Sequence, residues 1–173
     1  MDVLIPSERI AIRVEELAAE IARFYAGKKV TVVGILTGSL LFLTDLVRRM
    51  DLSIQIGLLK ASSYRGNATT PGQLEIDDHL LPAIANRHVL LLDDILDTGQ
   101  TISQVVKHVQ AKGALSVRTC VLLRKIGRQT VPFEPDFTGF EIPDQFVIGY
   151  GLDFNDEYRH LPFIGVLPDH LHP

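Results

Sequence analysis

Val89-Leu90-Leu91-Leu92-Asp93-Asp94-Ile95-Leu96-Asp97-Thr98-Gly99-Gln100-Thr101 is the stretch that decides the fold. Its opening residues, with His88 before them, are apolar without alternation, as a strand covered on both faces of a sheet should be. The sequence predicts that this strand ends in the carboxylates Asp93 and Asp94. A short turn holding Asp97 and Thr98-Gly99 follows, and then a helix from Gln100 to Lys112 that stops at Gly113. In open α/β sheets, ligands bind beyond the carboxyl ends of strands. A helix start offers free N–H groups and a partial positive charge, which suit a phosphate. Thr98 and Thr101 add hydroxyl donors, and Gly99 lets the backbone approach closely. Asp93 and Asp94 would repel a phosphate but accept strong hydrogen bonds from ribose hydroxyls. The composite fits a ribose 5-phosphate. Acids that merely cap a helix, or a phosphorelay receiver, are the other readings. A receiver requires an early acidic pair, and the first strand here ends in Leu36-Thr37-Gly38-Ser39 instead.

Outward from this stretch, strands and helices alternate. Ile10, Val14, Leu17, Ile21 and Phe24 recur at helical spacing, with Ser7 where an N-cap would stand and Gly27 at the end. Val30 to Leu36 is β-branched and apolar on both faces, which predicts a central parallel strand. Leu40 to Met50 reads as a helix with Arg48 and Arg49 in its last turn, where cations favour the dipole. Ser53 to Ser62 reads as a strand. Arg65 to Gln73 holds Gly, Asn, Thr and Pro without a large apolar residue, as a lid-forming loop would. Pro82 to Asn86 is a turn or short helix, and Leu115 to Leu123 a third apolar strand. Short strands are expected near Phe137 to Phe140 and Phe146 to Ile148. This order predicts an α/β domain with a mostly parallel central sheet flanked by helices.

Composition narrows the function classes. A chain of 173 residues can bury about 70 % of its extended surface, enough for one core. The net charge of −4 and the absence of a basic run argue against nucleic-acid binding. No apolar run approaches the ~20 residues of a spanning helix, and the charged stretch after Pro6 is unlike a secretory signal, so a cytoplasmic location is expected. Cys120 is the single cysteine, which excludes an internal disulfide framework, and it sits in an apolar strand where packing is expected. The six histidines have no metal spacing, and His170 and His172 fall in the last residues.

Together with its flanks, the 89–101 stretch resembles the phosphoribosyl-pyrophosphate motif of type I phosphoribosyltransferases. Further motifs are similar to those of the hypoxanthine/guanine phosphoribosyltransferase family. Leu36-Thr37-Gly38-Ser39 resembles its pyrophosphate loop, and Ser63-Tyr64 the pair that opens its mobile loop. Residues 135–144 resemble the run before its purine pocket, which residues 146–153 and Tyr158-Arg159 continue. The motifs occur in the family's order over roughly residues 7–167.

The resemblance implies a type I phosphoribosyltransferase fold in a single domain, with a core of roughly residues 25–145. A small hood over the purine would come from the N-terminal segment and roughly residues 146–173. It implies Mg²⁺-dependent transfer of a phosphoribosyl group from phosphoribosyl pyrophosphate to hypoxanthine, and to guanine, by a homodimer or homotetramer. Asp93, Asp94, Ile95, Asp97, Thr98, Gly99, Gln100 and Thr101 would bind the ribose phosphate, with Asp97 as general base at the purine nitrogen. Thr37, Gly38, Ser39 and Arg159 would bind pyrophosphate, with a cis bond between Leu36 and Thr37. Lys125, just after its strand, would reach the purine's exocyclic oxygen, with Phe146, Val147 and Asp153 completing the purine site. Ser63 and Tyr64 would open the flexible loop, and Asp153, Asp93 and Asp94 would serve Mg²⁺. Two departures stand out: Thr37 where several relatives carry Lys, and Asp93 where Glu is common. A metabolite-sensing RNA binder and a xanthine-preferring relative are the competing classes. The acidic balance and lack of a basic run count against the first.

Overall fold

A computed structural model describes residues 2–63 and 74–168. Tyr64, the 65–73 segment, His170 and His172 lie outside the described residues. The chain opens with strand β1 (Asp2–Ile5) and helix α1 (Ser7–Phe24). Ile10, Val14, Leu17 and Ile21 form the buried stripe of α1. Ser7 is not its N-cap but its first turn: Pro6 holds the cap position, and no side chain caps it. Proline's fixed φ and missing N–H make it a ready helix boundary, and its carbonyl accepts from the N–H groups of Arg9 and Ile10.

Strand β2 (Val30–Leu36) leads into helix α2 (Leu40–Val47), then β3 (Ile54–Ser63) and β4 (Leu74–Asp77). The second helix stops short of Met50, so Arg48 is its C-cap and Arg49 lies beyond its last turn. Strand β5 (His88–Leu96), helix α3 (Gln100–Ala111), β6 (Ser116–Lys125) and β7 (Phe137–Ile142) complete the main sheet, and β8 (Val147–Ile148) and β9 (Ile164–Val166) follow.

The main sheet has the order β4-β3-β2-β5-β6-β7, parallel except for the β3–β4 pair. Its central strands are buried on both faces. Val30 and Val32 of β2, Leu90 and Leu92 of β5, and Cys120 and Leu122 of β6 join the buried faces of α1 and α2 in one cluster. Val33, Val89, Leu91 and Val121 join Ile102, Val105 and Val109 of α3 in the other. This two-sided burial is why these strands read as unbroken apolar runs. Burial pushes the Cys120 thiol up, away from a reactive thiolate.

The site position follows from topology. From β2 the chain crosses by α2 on one face to β3, and from β5 it crosses by α3 on the other face to β6. The carboxyl ends of the neighbours β2 and β5 therefore flank the switch point of the sheet, where the winding reverses. Beside it stands a small antiparallel sheet, β1-β9-β8, made from both ends of the chain. No helix among the described residues is long and apolar enough to cross a membrane.

Candidate active site

The cleft at the switch point has a volume of about 310 Å³. Its walls include Thr37 and Gly38 from the turn after β2, Asp93, Asp94 and Ile95 from β5, Asp97, Thr98, Gly99 and Thr101 from the turn into α3, and Asp153 and Arg159. A second cavity of about 220 Å³ shares Asp94, Ile95, Asp97 and Asp153 with it and adds Lys125, Phe146, Val147 and Leu152. One compartment is thus rich in carboxylates and helix-start N–H groups. The other keeps three of those carboxylates and adds an apolar wall and Lys125.

The β5 strand does not end at Asp93. It continues to Leu96, held by ladder pairing of Asp93 with Val121, Ile95 with Leu123 and Leu96 with Arg124 on β6. The carboxylates therefore sit on a rigid strand and not on a flexible turn. Asp94 Oδ1 accepts from the Ile95 N–H at 2.8 Å, and Asp93 Oδ1 from the Asp94 N–H at 3.1 Å. Burial among the sheet, then the charge of Asp94, push the Asp93 carboxyl well above the usual carboxylate range. Asp94 is also raised, by burial first, with hydrogen bonds and the Arg159 charge pulling the other way.

The turn after Leu96 is pinned by the Thr98 carbonyl, which accepts from the N–H groups of Thr130 and Val131. Gly99 follows at φ 84°, a left-handed conformation that favours glycine; the only side chain accepting from a helix-start N–H among the described residues is Thr98, whose Oγ1 takes the Gln100 N–H at 3.4 Å. The helix start is left to face the cleft with its own N–H groups. Gln100 turns away, donating from Nε2 to Thr130 Oγ1 at 3.1 Å, and is not part of the cleft wall. Asp97 Oδ1 accepts from Arg128 Nε at 2.9 Å, and Asp97 Oδ2 lies 3.8 Å from Lys125 Nζ. Lys125 is the last residue of β6, not a residue beyond it. Its buried ammonium also approaches Asp144 Oδ1 at 3.4 Å.

The Leu36–Thr37 peptide bond is cis, as expected from the resemblance. Ser39 is fully buried and its hydroxyl donates to the Ile35 carbonyl at 2.6 Å, so it braces the turn and does not line the cleft. Gly38 is required by contact: a Cβ there would fall 1.7 Å from Asp94 Oδ2.

The far wall comes from residues 149–159. Phe154-Asn155-Asp156-Glu157 forms a tight hairpin with φ of 53° at Asn155 and 62° at Asp156, the positive pair that a type I′ turn needs. It places the Asp156 N–H 2.9 Å from Asp153 Oδ2, and Asp156 Oδ1 3.2 Å from Arg159 Nη2. Arg159 Nη2 also lies 3.0 Å from Asp153 Oδ1. Phe146 meets Phe154 edge-on at 5.8 Å between ring centroids, and Val147 pairs with Val166 in the small sheet. Ser63 closes β3, its backbone paired with Leu74.

Sequence reading missed Arg128 and Asp144, the partners of Asp97 and Lys125, and the hairpin residue Asp156. The Asn155-Asp156 pair was a visible turn signal. Arg128 and Asp144 are charges in loops, and nothing in the one-dimensional pattern marks them.

Residues 4–155 match the model of the phosphoribosyl transferase domain family. The hypoxanthine-guanine phosphoribosyltransferase of Streptococcus pneumoniae is 39 % identical over 170 residues, which cover 98 % of this chain and 94 % of that protein. The Staphylococcus aureus protein of the same name is 39 % identical over 166 residues, 96 % of this chain and 93 % of its own. A crystal structure of a hypoxanthine phosphoribosyltransferase from Staphylococcus aureus superposes with a TM-score of 0.93 at 37 % identity, covering 100 % of this chain and 94 % of that one.

Proposed function

The chain belongs to the phosphoribosyl transferase domain family, with hypoxanthine-guanine phosphoribosyltransferases as its relatives, and from that premise we propose a purine-salvage reaction at this cleft. The enzyme transfers the 5-phosphoribosyl group from phosphoribosyl pyrophosphate to hypoxanthine, or to guanine, and releases pyrophosphate with IMP or GMP. One observation carries this reading: a cleft lined by carboxylates and a helix start meets a second cavity that adds an apolar wall and Lys125, the two sharing Asp94, Ile95, Asp97 and Asp153.

The phosphoribosyl half lies in the larger cleft. The 5-phosphate takes the N–H groups at the start of α3 and the hydroxyls of Thr98 and Thr101, and the ribose hydroxyls donate to Asp93 and Asp94. Thr37 and Gly38 present backbone to the pyrophosphate, and Arg159 binds it by its fork of N–H groups. The purine lies in the smaller cavity against Phe146. Lys125 donates to the 6-oxo group, which disfavours adenine, whose 6-amino group offers no acceptor there, and the Val147 backbone reads the base edge.

Reaction breaks the bond from the ribose anomeric carbon to pyrophosphate as the purine nitrogen attacks. The positive charge that develops on the ribosyl group is offset by the negative charge that the Asp93–Asp94 pair shares. Asp97 accepts the proton from the purine ring nitrogen once the purine takes the place of Arg128 at its Oδ1. Such a cation must be kept from water, a task the resemblance assigns to residues 63–73.

Among the described residues no group of three or more His, Cys, Asp or Glu side chains could cage a metal. Single carboxylates on a cleft that receives phosphate oxygens fit Mg²⁺, which takes one or two carboxylates plus substrate. Asp153, or the Asp93–Asp94 pair, would hold it together with substrate oxygens, and it would offset the charge of pyrophosphate. The chain acts as one domain, its ends forming the hood, in a cytoplasmic homodimer or homotetramer.

A steady-state assay of hypoxanthine, guanine, xanthine and adenine, each with phosphoribosyl pyrophosphate and Mg²⁺, tests this. Turnover of the 6-oxopurines hypoxanthine and guanine over adenine is expected. No turnover with any purine, or a preference for adenine or xanthine, overturns it.

A further inference from the structure

Tyr150 has no part in the chemistry above, yet its hydroxyl spans the molecule. Its ring is buried, 7 % exposed, and Oη donates to Asp45 Oδ2 on α2 at 2.7 Å. Tyr150 sits at φ 48° between Gly149 at 95° and Gly151 at 101°. A tyrosine in left-handed backbone persists only where its surroundings over-determine it. The neighbour explains what is being held. A Cβ on Gly151 would fall 2.0 Å from the Gly38 carbonyl oxygen, so this backbone rests directly on the turn after β2. Gly151 also grips Arg159 twice: its N–H donates to the Arg159 carbonyl at 2.9 Å, and its carbonyl accepts from Arg159 Nη1 at 2.8 Å.

These contacts close a ring. Gly38 and Ser39 lead straight into α2, α2 carries Asp45, Asp45 holds Tyr150, and Gly151 returns to Gly38. Arg159 hangs from that ring through Gly151. A phenol donating to a carboxylate is a charge-assisted bond, stronger and more directional than a neutral one. Arg49 Nη1 sits 3.6 Å from the other Asp45 oxygen and is exposed to solvent on the outer side.

We propose that Tyr150 and Asp45 are a positioning pair that sets Arg159 against Gly38, and thereby the affinity of the cleft for the pyrophosphate-bearing substrate. This rests on the phosphoribosyl-transfer reading. Tyr150→Phe removes only the hydroxyl and keeps the ring, and Asp45→Asn keeps an acceptor oxygen in place. Both substrate KM values, calorimetric binding of Mg²⁺-phosphoribosyl pyrophosphate, and Tm are measured for Tyr150→Phe, Asp45→Ala and Asp45→Asn. Loss of one hydrogen bond to a charged acceptor predicts a rise of about tenfold in KM and Kd for phosphoribosyl pyrophosphate in the first two. The hypoxanthine KM is expected to stay within about twofold, and Asp45→Asn to recover most of the loss. Unchanged affinity in whichever of Tyr150→Phe and Asp45→Ala folds, or equal rises for both substrates, overturns the pair. If the unaltered protein turns over no purine, the reaction reading fails separately, and the calorimetric arm still decides whether the pair sets binding.

Discussion

The two walls of the site are built in opposite ways. The β5–turn–α3 unit is one continuous segment, residues 88–111, hydrogen-bonded on both sides to β2 and β6 and covered on both faces. The opposite wall depends on a small antiparallel sheet that joins Asp2–Ile5 to residues near the other end of the chain, and on the hairpin at residues 154–157. A polyanionic sugar needs charges held rigidly where water is scarce, and a single segment inside the main sheet supplies that. A flat base needs a wall that can be assembled around it. The difference teaches that the carboxylates and helix start of residues 93–101 are encoded locally here, whereas the purine wall, and Arg159 and Asp153 with it, is encoded at long range.

The largest test of that division is at its border. Asp97 lines both cavities, touches Arg128 and faces Lys125, so it stands where the phosphoribosyl and purine sides meet. Asp97→Asn keeps size and hydrogen bonding but cannot take a proton. Turnover is expected to fall by about 10²–10⁴-fold, the range of general-base contributions, with Tm within a degree or two in thermal unfolding. Unchanged turnover would remove Asp97 from the chemistry.

A smaller effect sharpens the account of the rigid wall. Burial and the Asp94 charge raise the Asp93 carboxyl, so the folded protein keeps a proton that the unfolded chain releases above the usual carboxylate range. The folded state then binds more protons, and stability must fall as pH climbs from that range through the raised folded value. Asp93→Asn removes this penalty and is expected to stabilise the protein by about 1 kcal/mol at neutral pH, with a flatter pH dependence. Thermal unfolding from pH 4 to 8 checks it, and a destabilised variant with an unchanged slope would contradict it.

The same contrast explains what sequence could reveal. Strand β2 was legible to the residue, because two-sided burial leaves an unbroken β-branched run. The end of β5 was not, since Ile95 and Leu96 read as part of the turn until β6 is alongside to pair them. Strands β1, β4 and β9 escaped notice because they are short and take their place from partners distant in sequence. The helix start at Gly99 and the carboxylates before it were readable from chemistry alone. Phe146 and Lys125 needed the family resemblance, since an apolar ring and a lone lysine carry no signal of their own. Motif position says nothing of which atoms serve: the Ser39 hydroxyl braces a turn, and the Gln100 side chain faces Thr130.

The division of labour between the phosphoribosyl and purine sides of the site is tested most directly at Lys125, which ends β6 and lines the purine cavity. Lys125→Gln keeps length and removes the cation. The measurement is KM for each substrate in the same assay. A rise of about tenfold or more for hypoxanthine, with phosphoribosyl pyrophosphate within about twofold, is the predicted result for loss of a charged hydrogen bond to the base. A rise confined to phosphoribosyl pyrophosphate, or equal rises for both, would contradict the assignment of the two walls.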